Sequence, residues 1–332
     1  MTNKRFRYFE NGRYELFFDT KTGVEILKGM NDSEDPFSLI LPSLLDIGIM
    51  GTCKNKCKFC YQGHVNRPNM KLDDFKRIID EVAYHTNQVA LGGRGDPNHH
   101  PNFKEILEYC RHKNVVPNYT TSGIDITDEQ IEISKMCGAV AVSEYQQPYT
   151  YDAVRRLMSA GLKTNIHYIF SSKTFNNCIS LLDGHHYIWG PLIDINKLNA
   201  VIFLLFKPQG AGKELTELVP TVNQFKIMSK KVFKSKAKFK IGIDSCLANH
   251  ITKHTKLTKA QKLTVQTCEA SRMSAYISPS MNLMPCSFAN EELFGKPIKT
   301  IIDIHRIWTV SKPFMDFRKQ LFVNESECPL KL

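Results

Sequence analysis

The sequence has no apolar run that approaches the roughly 20 residues needed to cross a bilayer. Its N-terminus, MTNKRFRYFENGRYELFF, lacks the apolar core of a signal peptide. No internal repeat and no long low-complexity linker interrupts the chain. These absences predict a cytoplasmic protein with no membrane partner. In that reducing compartment the ten cysteines are expected to be metal ligands or buried thiols rather than disulfides.

The composition is that of a globular protein. A chain of 332 residues, 42% hydrophobic and 23% charged, suits one large α/β domain or one domain with a small appendage. The net charge is +11, and the stretch from Lys226 to Lys262 holds eleven lysines and a single acid, Asp244. Aromatic residues are too sparse there for a stacking platform. We therefore expect a solvated face, and nucleic acid is not an expected partner.

Short apolar runs alternate with helical patterns along most of the chain. The runs span 43–50, 87–93, 114–123, 138–145, 163–171 and 199–210. Helical periodicity between them, as in 72–85 and 103–113, gives a β-α rhythm six strands deep. This rhythm predicts a parallel sheet with right-handed crossovers, either open or curled into a partial barrel. Functional loops are then expected beyond the carboxyl ends of the strands.

The pattern divides the chain into three parts. Residues 1–42 form an N-terminal arm that includes a hairpin turning at Lys21 to Gly23. Residues 43–235 hold the β-α core. From residue 236 the β-α units give way to a strand-like run, a long helical stretch and a hairpin-like segment, so residues 236–332 are predicted to be a smaller α+β subdomain.

Three cysteines, Cys53, Cys57 and Cys60, follow the first core strand with the spacing CxxxCxxC. No fourth ligand lies close by, although a structural zinc site usually takes four. Three thiolates would leave one iron of a cubane cluster open for an exchangeable ligand, as a catalytic cluster requires. A zinc site with a remote fourth ligand, or three thiols close by chance, remains the alternative.

The chain resembles the radical S-adenosylmethionine (SAM) enzymes over most of its length. Cys53, Cys57 and Cys60, with Phe59 before the last, match the family's CxxxCxΦC motif, and GGRGDP (92–97) resembles its GxGEP segment, with Asp96 where Glu is usual. The resemblance implies a partial (β/α)6 TIM-like barrel, a SAM-binding [4Fe-4S] cluster, and a reductant such as flavodoxin or ferredoxin. The residues it assigns to SAM are Phe59, Gly92, Gly93, Gly95, Asp96, Pro97, Ser122, Ser143 and Glu144.

Four further cysteines lie in the C-terminal part: Cys246, Cys268, Cys286 and Cys328. The segment CEASRMSAYISPSMNLMPC is similar to the auxiliary-cluster domains called SPASM and twitch, but the additional cysteines of a full SPASM pattern are missing. The resemblance therefore implies one auxiliary iron–sulfur cluster. Scattered buried thiols or a zinc site are the alternatives. Cys110, Cys137 and Cys178 lie in or near predicted helices and are expected to be small buried hydrophobes.

The substrate is the least defined part of this interpretation. Relatives with auxiliary clusters often modify peptides, and a peptide substrate is narrowly preferred here. Only about 43 residues precede the first core strand, which is short for a separate peptide-recognition domain. A dehydrogenase or epimerase acting on a sugar, an alcohol or an amino-acid derivative, and a tRNA-modifying enzyme, are the alternatives. His167, Lys207 and Gln209, near strand ends, are candidate substrate contacts.

Two non-enzymatic functions are further alternatives: an iron–sulfur electron carrier and a zinc-dependent RNA-binding protein. An electron carrier needs closed clusters and has no use for a glycine-rich segment after the second core strand. A zinc protein would keep its metal in air and would release zinc rather than iron. The β-α core with its glycine-rich loop favours an enzyme.

Overall fold

A computed structural model describes residues 5–10, 14–29, 37–185, 189, 193–262, 264–265, 268–323 and 328–330. The strands are β1 (Phe6–Glu10), β2 (Tyr14–Asp19), β3 (Glu25–Gly29), β4 (Leu44–Met50), β5 (Gln88–Gly93), β6 (Val116–Thr121), β7 (Val140–Ser143), β8 (Thr164–Phe170), β9 (Ala200–Leu205), β10 (Lys240–Ile243), β11 (Ser274–Ile277), β12 (Asn282–Met284) and β13 (Lys296–Pro297). The helices are α1 (Leu72–Val82), α2 (Phe103–His112), α3 (Asp128–Ile133), α4 (Pro148–Ser159), α5 (Phe175–Leu182), α6 (Val222–Val232), α7 (Ser245–His254), α8 (Lys259–Lys262), α9 (Glu291–Phe294), α10 (Asp303–Val310) and α11 (Lys312–Val323).

One ten-stranded sheet organises the chain, in the order β10-β9-β8-β7-β6-β5-β4-β11-β12-β13. All strands from β10 to β11 pair in parallel, and β12 and β13 are added antiparallel. The six strands expected from the apolar runs are β4 to β9. The predicted mixed α/β fold with a parallel sheet is therefore confirmed. The sheet is consistent with a partial TIM-like barrel, and no closed barrel is formed by the described residues.

Side chains alternate between the two faces of the parallel strands. On β4, Leu45, Ile47 and Ile49 are fully buried on one face, against helices such as α1. On β8, every second residue is buried in the same way, while His167 points to the opposite face. This alternation places the apolar core between the sheet and its helices. Polar residues of the strands, such as His167, therefore lie on the inner face of the sheet.

The N-terminal strands β1, β2 and β3 form a separate antiparallel sheet. The predicted turn is present, with Gly23 at φ +70° and a hydrogen bond from Asp19 N to Val24 O. Leu16 of β2 is buried in a cluster that includes Val116, the first residue of β6. The guanidinium of Arg7 donates to carbonyl oxygens just before β5. The sheet therefore lies near the amino ends of the core strands and leaves their carboxyl ends uncovered.

The C-terminal part continues the main sheet. β10 pairs in parallel with β9, and β11 pairs in parallel with β4, so the sheet runs without a break past residue 236. Helices α10 and α11 pack on the outside, where the Arg318 guanidinium lies 4.5 Å from the centre of the Trp308 ring. Cys110 and Cys178 are buried in the main core, as expected. Among the described residues, no helix has the length and apolarity to cross a membrane.

Candidate active site

A cavity of about 440 Å³ lies at the carboxyl ends of β4 to β9. This is the edge where a parallel α/β sheet carries its functional loops. The residues of the sequence motifs that line it are Cys53, Cys57, Phe59, Cys60, Gly92, Gly93, Gly95, Asp96, Ser122 and Ser143. The fold thus brings residues from the loops after four strands to one enclosed space.

The three cysteines lie on the loop after β4. Gly51 starts this loop at a position where a Cβ atom would collide with the carbonyl oxygens of Arg67 and Pro68. Burial raises the pKa of the Cys53 thiol, and burial together with the Cys53 and Cys60 thiols raises the pKa of Cys57 to about 11. Partly buried thiols that lie this close together fit a positively charged metal centre, which binds thiolates.

The glycines of GGRGDP bring the end of β5 against the cysteine loop. Gly93 and Gly95 have φ values of +106° and +116°, which side chains disfavour. A Cβ atom on Gly95 would collide with the carbonyl oxygen of Thr52, next to Cys53. Gly92 has no atom within 4 Å of its would-be Cβ position. The segment therefore packs closely against the cysteine loop and keeps open space beside Gly92.

Asp96 connects the glycine segment to β6. Its Oδ1 accepts a hydrogen bond from Ser122 N at 2.8 Å, and its Oδ2 accepts one from Ser122 Oγ at 2.5 Å. The side-chain amide of Asn55, in the cysteine loop, donates to Ser122 Oγ at 2.9 Å. Burial raises the pKa of Asp96, and the hydrogen bonds from Ser122 oppose that rise. One hydrogen-bonded group thus links the cysteine loop, the glycine segment and the end of β6.

The other predicted SAM contacts differ in their surroundings. The Phe59 ring lines the cavity 5.7 Å from that of Tyr145. Pro97 is buried in a 3₁₀ turn. Glu144 does not line the cavity, and its Oε1 accepts a hydrogen bond from Gln146 N at 2.8 Å. The assignments to SAM stay predictions, and the one for Glu144 has the least support in this arrangement.

The predicted substrate contacts fall into two places. His167 and Lys207 line the cavity. Burial lowers the pKa of His167 to about 4, so its ring is neutral at pH 7. The Lys207 ammonium is paired with Asp244 at 2.6 Å and lies 4.3 Å from the centre of the Phe288 ring. Gln209 lies outside this space and lines a neighbouring cavity of about 620 Å³.

The four C-terminal cysteines face one region. The Cys286 and Cys328 thiols each raise the pKa of Cys246, and the Cys268 and Cys328 thiols each raise that of Cys286, with burial the larger cause in both. No group of three or more His, Cys, Asp or Glu in the described ranges is close enough to hold a single metal ion.

Asp46 and Tyr276 are among the residues of the cavity wall that sequence reasoning missed. Asp46 stands inside the apolar run SLLDIGIM, and a lone acid in a buried strand was the available signal. Tyr276 carried no such signal. It reaches the cavity because β11 pairs with β4, more than 220 residues earlier in the chain.

Residues 47–166 match the family model of the Radical SAM superfamily. The matched segment is less than half of the chain, and it contains the cysteine motif and the glycine segment. Over 92 residues the chain is 25% identical to the tungsten-containing aldehyde ferredoxin oxidoreductase cofactor-modifying protein of Pyrococcus furiosus. That alignment covers 26% of this chain and 26% of the relative, so the chain matches about a quarter of the curated relative's length.

Two groups of solved structures resemble most of the chain at low sequence identity. SuiB of Streptococcus suis bound to S-adenosylmethionine has a TM-score of 0.71 at 12% identity, with 95% of this chain and 89% of SuiB covered. The enzyme anSMEcpe with bound AdoMet has a TM-score of 0.60 at 13% identity, with 83% and 80% covered. SuiB has also been solved with its precursor peptide SuiA, and anSMEcpe with a Cp18Cys peptide. These similarities show a common fold.

Proposed function

We propose that the protein is a radical SAM enzyme that modifies a peptide-type substrate with the help of an auxiliary iron–sulfur cluster. The observation that carries the first part is the shared cavity. Cys53, Cys57 and Cys60 border the same 440 Å³ space as the glycines and the Asp96–Ser122 pair. An electron carrier has no need for such a space beside its cluster.

Cys53, Cys57 and Cys60 would hold the [4Fe-4S] cluster through three of its irons. When bound, this cluster and SAM supply a 5′-deoxyadenosyl radical that abstracts hydrogen from the substrate. The chain's own part is to orient and to exclude water. Gly92 lets a ligand approach the backbone, and Ser122 holds Asp96 at the cavity wall beside the glycine segment.

Cys246, Cys268, Cys286 and Cys328 would hold the auxiliary cluster with no open iron. Two contacts support a role for it in the reaction. The Phe288 ring lies 4.6 Å from the Tyr61 ring, centre to centre and tilted by 51°, and Tyr61 directly follows Cys60. The Phe288 backbone N–H donates to the Cys286 sulfur at 3.5 Å. Phe288 therefore contacts the residue that follows Cys60 and the sulfur of Cys286, and it also lines the cavity.

The peptide assignment rests on the structural neighbours. Both SuiB and anSMEcpe have been solved with peptides, and SuiB covers 95% of this chain. The reductant is expected to be a small electron-transfer protein such as flavodoxin or ferredoxin. Its docking surface is not assigned.

The test is SAM cleavage by the reconstituted protein. The full chain is loaded anaerobically with iron and sulfide, reduced with dithionite, and given SAM, and 5′-deoxyadenosine is measured by mass spectrometry. The variant with Cys53, Cys57 and Cys60 all changed to Ala is treated identically, and iron is counted in both.

We expect 5′-deoxyadenosine from the wild type and none from the variant. We also expect about four irons to remain in the variant, the content of one cubane. An iron-loaded wild type that neither binds SAM nor cleaves it would overturn the proposed class. A variant that holds no iron would overturn the auxiliary cluster alone.

A further inference from the structure

Asp46 is a carboxylate that faces the substrate side of the cavity from the middle of β4. It lies opposite Ala90 on β5 and Tyr276 on β11 in the strand register. Its neighbours Leu45 and Ile47 are fully buried on the helix-facing side. Alternation along the strand therefore directs Asp46 inward, where it lines the cavity.

Small residues keep the space beside Asp46 open. Ala90 is its partner on β5, and the next inward pair along the two strands is Gly48 and Gly92. A Cβ atom on Gly48 would collide with the Tyr276 hydroxyl, so the glycine makes room for that ring. The carboxylate thus lies below an open volume that Tyr276 borders on one side.

No residue in the described ranges donates a hydrogen bond to Asp46 or forms an ion pair with it. The other two carboxylates near the cavity are engaged: Asp96 accepts two hydrogen bonds from Ser122, and Asp244 pairs with Lys207. Burying a carboxylate without a partner is unfavourable, and such groups in proteins are generally paired. In the described part of the chain, the Asp46 carboxylate is therefore available to a donor that enters the cavity.

We propose that Asp46 binds a cationic group of the substrate, an ammonium or a guanidinium, inside the cavity. This inference rests on the proposed function and defines the substrate class of the same site. A carboxylate only accepts hydrogen bonds, so it selects donors and repels anions. Tyr276, Tyr61 and Phe288 line the same space, and aromatic rings favour a cation over a neutral donor. Lys207 does not compete, because Asp244 holds its ammonium.

Four probes of similar size test the charge preference: n-butylammonium, n-butylguanidinium, 1-butanol and butyrate. Each is titrated into the anaerobic, iron-loaded protein with SAM and without reductant, and dissociation constants are measured by calorimetry or ligand-observed NMR. We expect the two cations to bind about tenfold more tightly than butanol, as charge-assisted hydrogen bonds do. Butyrate should bind most weakly.

The Asp46→Asn variant keeps the shape and removes the charge, so the cation preference should disappear. Asp73→Asn, at an exposed acid in the first turn of α1, is the matched control and should keep the preference. Iron content and the SAM dissociation constant verify that both variants are folded. Equal binding of cations and butanol to the wild type would overturn the proposal even if Asp46→Asn failed to fold.

A second pair of probes distinguishes the source of the cation. N-acetyl-Gly-Lys-Gly-amide is compared with the peptide that carries norleucine in place of Lys. If the Lys peptide binds more tightly than both the norleucine peptide and n-butylammonium, the cation belongs to a peptide. If it binds no better than n-butylammonium, it belongs to a small molecule. Both outcomes support Asp46 as the cation site.

The binding measurements can fail independently of the proposed function. Cation binding is measured without SAM cleavage. If 5′-deoxyadenosine forms but cations show no preference, only the role of Asp46 is wrong. If cations bind at Asp46 but SAM is neither bound nor cleaved, the proposed function is wrong and the cation site remains.

Discussion

The two groups of thiols are built in opposite ways. Cys53, Cys57 and Cys60 lie within eight consecutive residues on one loop, beside a cavity. The other four come from positions spread between Cys246 and Cys328, and β11, β12 and α7 bring them to one region. The first group is therefore defined by local sequence and left open. The second depends on the tertiary fold, and in the proposed function its four thiols would close a cluster.

The largest loss of SAM cleavage is expected for single cysteine variants at Cys53, Cys57 and Cys60, the proposed open site. Cys57→Ala should reduce 5′-deoxyadenosine formation to background, because a cubane held by two thiolates is not retained in a form that binds SAM. Cys137→Ala, at a thiol outside both groups, should leave SAM cleavage unchanged. Mass spectrometry of the two reconstituted variants checks this. Equal activity would show that the three-cysteine motif is not the cluster site.

Removal of one cysteine from the C-terminal group, the proposed closed site, should affect iron content more than SAM cleavage. Cys286→Ala is expected to lower the iron content by about four atoms per chain and to leave SAM cleavage within a few-fold of wild type. Iron analysis and the 5′-deoxyadenosine assay on the same preparation measure both. If iron content stays at the wild-type value, Cys286 is a buried thiol and not a ligand.

The close packing between the glycine segment and the cysteine loop can be tested by one methyl group. Gly95→Ala should lower the free energy of unfolding by about 3 kcal/mol or more, because a positive φ and a collision with Thr52 O act together. Gly161→Ala has φ +79° but open space around its Cβ, so a loss of about 1–2 kcal/mol is expected. Denaturant unfolding compares them. Similar losses would contradict the close approach.

The smallest effect concerns the charge on Asp46. Burial raises its pKa from 3.8 to about 6, so stability is lost as pH rises from about 4 to about 6 and the folded protein must carry the ionised carboxylate. Asp46→Asn should therefore stabilise the ligand-free protein by about 1–2 kcal/mol above pH 7 and have no effect below pH 4. Thermal unfolding at pH 4 and pH 8 measures this. A pH-independent difference would show that Asp46 has an ordinary pKa.

The sequence predicted the core of the fold because each buried parallel strand is a short apolar run with its own helix. All six expected strands, from β4 to β9, are present in the parallel sheet. It did not predict that β10 and β11 would extend the same sheet at both sides. β10 has only four residues, and strand pairing across the chain leaves no local pattern.

The site residues show the same difference between local sequence patterns and tertiary contacts. Cys53, Cys57, Cys60 and the glycines were identified from spacing, because the chemistry requires those residues close together in the chain. Asp46 and Tyr276 are adjacent only through the β4–β11 pairing. The hydrogen bond from Asn55 to Ser122 likewise joins residues whose contact depends on β4, β5 and β6 lying side by side.

The most direct test of the account uses two complementary variants and electron paramagnetic resonance. One keeps the open site and has Cys246, Cys268 and Cys286 changed to Ala. The other keeps the closed site and has Cys53, Cys57 and Cys60 changed to Ala. Each is reconstituted, reduced, and measured with and without SAM. We predict that SAM alters the spectrum of the first variant and leaves that of the second unchanged. No change in the first variant would contradict an open iron at Cys53, Cys57 and Cys60.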